Sequence, residues 1–385
     1  MKRFWVFWTL AAAAWAQSHG AMEQQGGFWV QTVTGSLEMA PGSALEVDTA
    51  GGVVLRGGPQ EQVFYTLRKR VRAATESEAR RMLDAVSLKA WTAAGVARLQ
   101  VQCPKRQPPL VDLELAVPAS LRRAALRTQW GNIDAAGIEG RVEAVTAAGM
   151  VKADRIGKGL AARSGGGNVE IGTVDGPVHA FSSGGAVRIG KAGGETRVET
   201  GGGDVAVREI GGALFAATAG GNISAGTVGG GVTAQTAGGS IEIGRAGGPV
   251  VAQTSGGAIV VGSARDVRCE SSAGAIRLRG VSGALRANTA LGSIVAELAA
   301  ARLADSILST SSGDVTVWIP SNIAVTVRAQ NESGGRLAKI ISDFPEINIR
   351  PAAIHMSVGE GAINGGGPVL TVSTSNGVIY LRRQK

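Results

Sequence analysis

Asn168-Val-Glu-Ile-Gly-Thr-Val-Asp-Gly-Pro-Val-His-Ala-Phe-Ser182 and Asn222-Ile-Ser-Ala-Gly-Thr-Val-Gly-Gly-Gly-Val-Thr-Ala-Gln-Thr236 are the same phrase, written twice with small changes. The aliphatic residue that opens each copy recurs at Ile133, Val151, Val169, Val187, Val205, Ile223, Ile241, Ile259, Ile276, Ile294 and Val315. The spacing is 18 residues seven times, then 17, 18 and 21. Within a copy the apolar residues fall at offsets 0, 2 and 5, then 9, 11 and 13. Alternation by two is the period of a strand, not of a helix. Glycines such as Gly211-Gly212 and Gly220-Gly221 divide the two runs and permit tight turns. Each copy is therefore two short strands and two turns, one coil of a winding. A single coil cannot bury its apolar side, so neighbours must stack. The expected fold is mainly β: a β-solenoid (β-helix) of about eleven coils, with a small α+β cap at its N-terminal side and a β cap at its C-terminal side.

Two inward registers carry small residues. Offset 11 reads Ala144, Ala162, Ala180, Val198, Ala216, Ala234, Ala252, Cys269 and Ala287, which brings the two walls close together. Offset 13 reads Thr146, Ser164, Ser182, Thr200, Thr218, Thr236, Thr254, Ser271 and Thr289. A hydroxyl beside a glycine turn can bond backbone groups that would otherwise be unsatisfied, so this file reads as a structural ladder.

Outside the repeats the chain divides as follows. Residues 1–16 read as a signal peptide, with Lys2 and Arg3, an apolar stretch Phe4–Ala13, and Ala14-Trp15-Ala16 placing cleavage between Ala16 and Gln17. The apolar stretch is too short for a comfortable membrane span. Residues 17–27 read as a flexible leader, 28–127 as a β-rich module, 128–317 as the solenoid, and 318–385 as the last coils and a cap. Within the module, Leu45-Val47 and Val53-Leu55 flank Thr49-Ala-Gly-Gly52 and read as a hairpin. Val63–Val71 reads as a strand with outward basic residues. Residues 75–87 read as a helix with Thr75 as N-cap and Glu76 and Glu78 in the first turn.

The composition narrows the chemistry. The chain carries a formal +9, part of it Lys2 and Arg3 of the signal segment, which favours anionic envelope or matrix polymers in an exported protein. Cys103 and Cys269 are too few and too far apart for a disulfide framework and are expected to be free. His19, His179 and His355 lack metal-ligand spacing. The left-handed hexapeptide helix of acyltransferases also has an 18-residue coil, but it needs an aliphatic residue every six. From Val205 that register gives Gly211 and Ala217, and from Val187 it gives Gly193 and Glu199. A polysaccharide lyase or hydrolase would need gathered acids. Glu170 and Glu242 share an outward register but lie four coils apart, while Asp204 and Asp314 occupy the turn offset also held by Asn132, Asn168, Asn222, Ser240 and Ser293. No catalytic, cofactor or metal residue is expected. Phe181, Phe215, Trp130 and Trp318 are the aromatic side chains placed to meet a ligand or the caps.

Leu45–Gly57, the helix with Glu78-Ala79-Arg80, the glycine coils, Ser342-Asp343-Phe344-Pro345 and Thr374-Ser375-Asn376-Gly377 together resemble the bacterial putative-adhesin β-solenoid family of unknown function. The resemblance covers nearly all of the chain after the signal segment. It implies an exported or envelope-associated solenoid and transfers no catalytic residue. The expected function is that of a non-enzymatic, adhesin-like structural protein in the periplasm, on the outer cell surface or secreted. Its flat β faces would meet a surface, an anionic polymer or a second copy, with no nucleic acid partner and no membrane span after the signal segment. The alternatives are a polysaccharide-active enzyme, in which Asp204 and Glu242 would be the carboxylates to test, and an accessory protein of envelope stress or signalling.

Overall fold

The structure is a computed structural model that describes residues 18–104, 106, 108–332 and 339–384; the expected signal peptide and its expected cleavage point, Ala16 and Gln17, lie outside these. The strands form two parallel faces wound from one chain. The first face stacks Ile133–Ile138, Val151–Ile156, Val169–Val174 and their successors. The second stacks Arg141–Thr146, Gly159–Ser164, Val178–Ser182 and theirs.

Between Val151 and Ile259 the register is Val151↔Val169↔Val187↔Val205↔Ile223↔Ile241↔Ile259 with no slip. Alternation explains which side chains face in. In Leu214–Thr218, Leu214, Ala216 and Thr218 are buried, and in Ile223–Val228, Ile223, Ala225 and Val228 are. The two consecutive outward residues Gly226 and Thr227 break the alternation, so the first-face strand bends there before Val228 turns back inward. The alanines of offset 11 are almost wholly enclosed, which is why the faces can approach closely.

The winding is longer than eleven coils. Ala44–Thr49 and Gly52–Gly58 are not a hairpin. Each lies parallel to a strand of the next coil, Arg123–Thr128 and Ile133–Ile138. Val96–Gln102 and Leu110–Pro118 make a further coil parallel to them on the outer side. The glycine turn Thr49-Ala-Gly-Gly52 is a coil corner: it carries the chain from one face to the other instead of folding it back on itself.

The stacking order departs from the chain order at both ends. At the N-terminal end, residues 44–58 lie between 96–118 and 123–138. At the C-terminal end, Val369–Asn376 and Val378–Gln384 lie between the coil of Ser306–Pro320 and the strands Val325–Glu332 and Lys339–Ser342.

Antiparallel strands close the stack. Phe28–Leu37 and Val63–Val71 extend the first face beyond Leu110–Pro118, and Ser87–Ala93 extends the second beyond Val96–Gln102. Met356–Ile363 and Asn348–Ala353 do so at the other end. Such strands cover edges that would otherwise offer free backbone groups. The expected leader is also part of this cap. Glu23–Gln25 pairs with Phe28–Val30 through a two-residue turn, Gly26-Gly27, with φ of 57° and 80°. Both central residues of such a turn require positive φ, which glycine adopts freely.

Helix α1, Glu76–Asp84, begins at Thr75, whose hydroxyl accepts from Glu78 N at 3.3 Å. It buries Ala79 and Leu83 against Val71, with Trp29 and Met82 alongside. Lys69, expected to face outward, shares the inward register of Tyr65, Leu67 and Val71 and is 4% exposed. Its ammonium donates to Leu83 O at 3.2 Å and Val86 O at 3.0 Å. A cation is favourable at the C-terminal end of a helix, and the carbonyls of Leu83 and Val86 there account for a buried lysine on this strand. Burial holds the Lys69 pKa below its ordinary value.

Candidate functional site: a trough along the second face

The outward residues of the second face and the corner that follows it form an open trough of about 1020 Å³. Its floor comes from offset 12, running from Phe181 through Glu199, Ala217, Gln235, Gln253 and Glu270 to Asn288. Its wall is the next corner, where every coil carries a small residue, from Ser183 and Gly201 to Ala290 and Ser311. The sequence makes the depression by leaving bulk out of the corner, coil after coil. From Ser183 to Ser311 the trough crosses seven coil steps, a length of roughly 34 Å at strand spacing.

Side chains along the floor bond one another up the stack. Gln235 Nε2 donates to Gln253 Oε1 at 3.2 Å, and Gln253 Nε2 donates to Glu270 Oε2 at 3.1 Å. Arg268 Nε holds the other oxygen of Glu270 at 2.8 Å, and Arg197 Nε holds Glu199 at 2.5 Å. The Arg197 guanidinium also lies 4.2 Å above the Phe215 ring. Both carboxylates of the floor are thus matched by arginines, so the trough is polar without a net charge. Its chemistry is that of amides and ion pairs at a repeat of one coil, which suits an extended polymer better than a compact small molecule.

The hydroxyl file lies just beneath, facing inward. Thr146, Ser164, Ser182, Thr200, Thr218, Thr236, Thr254, Ser271 and Thr289 each donate to a glycine carbonyl of the preceding coil at 2.7–3.1 Å. Each accepts from the glycine N–H three residues on at 2.8–3.3 Å. These oxygens are occupied by the turns of two coils, although Thr200, Thr218, Thr236, Thr254, Ser271 and Thr289 border the trough.

A second ladder runs through the opposite turn. Asn132 Oδ1 accepts from Met150 N at 2.8 Å, Asn168 Oδ1 from Ala186 N at 2.9 Å, and Asp204 Oδ1 from Asn222 N at 2.8 Å. Asn222 Oδ1 and Asp314 Oδ1 do the same for Ser240 N and Val378 N. The turn acids are therefore bridges between coils. Glu242 is exposed on the first face beside Ser224 and Val260, and Glu170 lies between Lys152 and Arg188, so the structure gathers no pair of these carboxylates. Among the described residues, no three of His, Cys, Asp and Glu are arranged to hold a metal ion. His179 and His355 are exposed. Both cysteines are free, and burial pushes the Cys269 thiol up to about 12. No helix among the described residues is long and apolar enough to cross a membrane.

Of the aromatic residues, Phe181 lines one end of the trough, whereas Trp318 stands between Glu297 and Arg382 on the first face and Trp130 lies at the other end of the rod. The amides of the floor carried a signal in the sequence, since they sit 18 residues apart in one outward register. It is visible only when the outward positions are aligned as carefully as the inward ones.

Residues 214–346 match the family model described as Toastrack DUF4097. No curated protein matches the chain. Among solved structures, a putative cell adhesion protein from Clostridium sporogenes is similar at 7% identity, over 96% of this chain and 100% of that one, with a TM-score of 0.15. A putative adhesin from Bacteroides fragilis is similar at 11% identity, over 92% and 97%, with a TM-score of 0.22. A putative lipid binding protein from Parabacteroides distasonis is similar at 9%, over 91% and 97%, with a TM-score of 0.24. Identities and scores this low say nothing about a shared ligand. The chain is a β-solenoid, and its similarity to the Toastrack DUF4097 family lies in the stretch 214–346.

Proposed function

We propose that the protein is a non-enzymatic, adhesin-like rod of the cell envelope that holds a linear cell-surface or matrix polymer along its second face. The observation that carries the reading is the trough, with the amides and the paired carboxylate of Gln235, Gln253, Glu270 and Asn288 on four successive coils of its floor. A polymer whose units follow the groove can repeat the same few hydrogen bonds many times, and weak contacts sum when they are linked. Arg286 adds positive charge to the second face without an ion pair among the described residues, which supports an anionic polymer and a salt-dependent component of binding. Export, by way of a signal peptide over residues 1–16 cleaved between Ala16 and Gln17, is part of the same proposal.

The test is retention of the protein on insoluble envelope or matrix polysaccharide across a salt titration, beside a Gln235→Trp variant that fills the trough. We expect retention to fall with salt and to drop strongly in the variant. Retention that is unchanged in high salt removes the electrostatic part, and retention that is unchanged in Gln235→Trp removes the trough.

A further inference from the structure

The position three residues before each coil's first aliphatic is a turn tip, and it carries almost no side chain along the rod. It is Gly166, Gly184, Gly202, Gly220, Gly238 and Gly256 in the central coils. In the coil that opens with Ile133 it is Trp130, and that indole is 72% exposed. Exposure on this scale means that packing does not account for the residue: it buries little and closes no edge.

Trp130 stands at the rim of a pocket of about 670 Å³ where the out-of-order N-terminal coils meet the cap. The pocket floor is bare backbone at Gly51, Gly52 and Gly131, and a Cβ at Gly51 or Gly131 would run into the backbone of Val111 or Gly51. Leu110, also half exposed, adds an apolar wall. The remaining lining is polar and matched in charge. Arg70 pairs with Asp112 at 2.5 Å, and Asp134 is held by Arg56 through two bonds of 2.6 and 2.9 Å. Arg68 bonds Gln25 at 2.8 Å, while exposed Glu114 makes no hydrogen bond or ion pair among the described residues.

We propose that this pocket binds one neutral saccharide unit, with the Trp130 indole against the ring face and the surrounding carboxylates and arginines bonding its hydroxyls. A flat apolar surface edged by planar donors and acceptors is complementary to a sugar ring, which has apolar C–H faces and a polar rim. The balance of arginines and carboxylates disfavours a ligand of either net charge. The site is separate from the trough and stands or falls without it.

The experiment is titration of the full-length protein with cellobiose, lactose, N,N′-diacetylchitobiose and glucuronic acid, followed by calorimetry and tryptophan fluorescence. At least one neutral disaccharide is expected to bind saturably in the millimolar range. Trp130→Ala should weaken it about tenfold, the scale of one lost aromatic contact, with the melting temperature unchanged because the indole is exposed. Glu114→Gln should weaken it less, and Gln235→Trp should leave it intact. Absence of saturable binding to every neutral disaccharide overturns the proposal. So does binding undiminished in Trp130→Ala, binding abolished by Gln235→Trp, or tighter binding of glucuronic acid than of the neutral sugars.

Discussion

The central coils and the two ends are built from the same strands and turns but by different rules of order. From Val151 to Ile259 each coil stacks on the one just before it in the chain, and every contact repeats at one spacing. At the ends, residues 44–58 and 369–384 are slotted between coils that are not their neighbours in sequence on both sides. The centre is thus held by local closure, and each end by a coil gripped on two faces. The comparison separates two tasks: the repeat sets the register of side chains, while the ends set where the stack stops.

The largest effect should come from overfilling the centre. Ala216 is wholly buried between Val198 and Ala234, whereas Gln235 is exposed one register outward. Ala216→Trp should cost more than the roughly 1–3 kcal/mol of ordinary overpacking, and Gln235→Trp should be nearly neutral. Equal melting temperatures for the two variants would show that the inward and outward registers are interchanged.

A finer test of the same region uses adjacent glycines. A Cβ at Gly203 would press into the backbone of Gly185 and Ala186, well inside contact distance, while at Gly202 the nearest atom is Gly184 O at 3.9 Å. Gly203→Ala should destabilise by about 1–3 kcal/mol and Gly202→Ala should not. In this turn the coils approach closely at Gly201 and Gly203 and leave the tip Gly202 free, so thermal melts that fail to separate these two variants would contradict the stacking of the turns.

These two tests rest on what could be read directly. The alternation at offsets 0, 2, 5, 9, 11 and 13 identifies the buried residues because one face of each strand must be apolar. Order at the ends is not legible in that way. Thr49-Ala-Gly-Gly52 reports that the chain turns, but a hairpin and a coil corner use the same residues, and only the distant partners Arg123–Thr128 and Leu110–Pro118 decide between them. Lys69 escaped for a related reason. A charge in an apolar register looks like an exposed residue until the helix carbonyls that receive it are in place. The trough lay between these cases, since its small corner residues are periodic in the sequence but their concavity exists only once the coils are stacked.

Lys69 gives the matching test at the N-terminal end. Lys69→Met keeps the apolar stem but strips the ammonium donor from Leu83 O, which still accepts from Val86 N at 3.2 Å, and from Val86 O, both on nearly buried residues. Leaving the Val86 carbonyl without that donor costs about 1–3 kcal/mol. Hydrogen exchange should quicken in α1 and Val63–Val71 while the central coils keep their protection. Quickening that spreads equally through Val169–Val261 would mean that end and centre unfold as one unit.

Acid should produce the smallest effect, and an uneven one. Arg123 holds the Glu143 carboxyl below its ordinary value of 4.5, Lys191 does so for Glu209, and the Arg383 N–H with the Arg382 guanidinium holds Asp343 below 3.8. As pH falls, the unfolded chain takes up these protons before the folded one does. Their contribution is complete above the ordinary carboxylate values and is lost as pH drops through the lower folded ones. All three groups are well solvated, so the loss should be modest. Asp343 differs from the others in position: through Arg382 Nη1 at 2.9 Å and Arg383 N at 3.1 Å it ties the Ser342–Pro345 loop to the inserted strand Val378–Gln384. Below pH 4 the C-terminal end should therefore loosen first, seen as faster exchange in Lys339–Ser342 than in the central coils. Asp343→Asn should show that loosening already at neutral pH and respond less to acid. A variant with the same pH profile as the parent would place the acid-sensitive tie elsewhere in the stack.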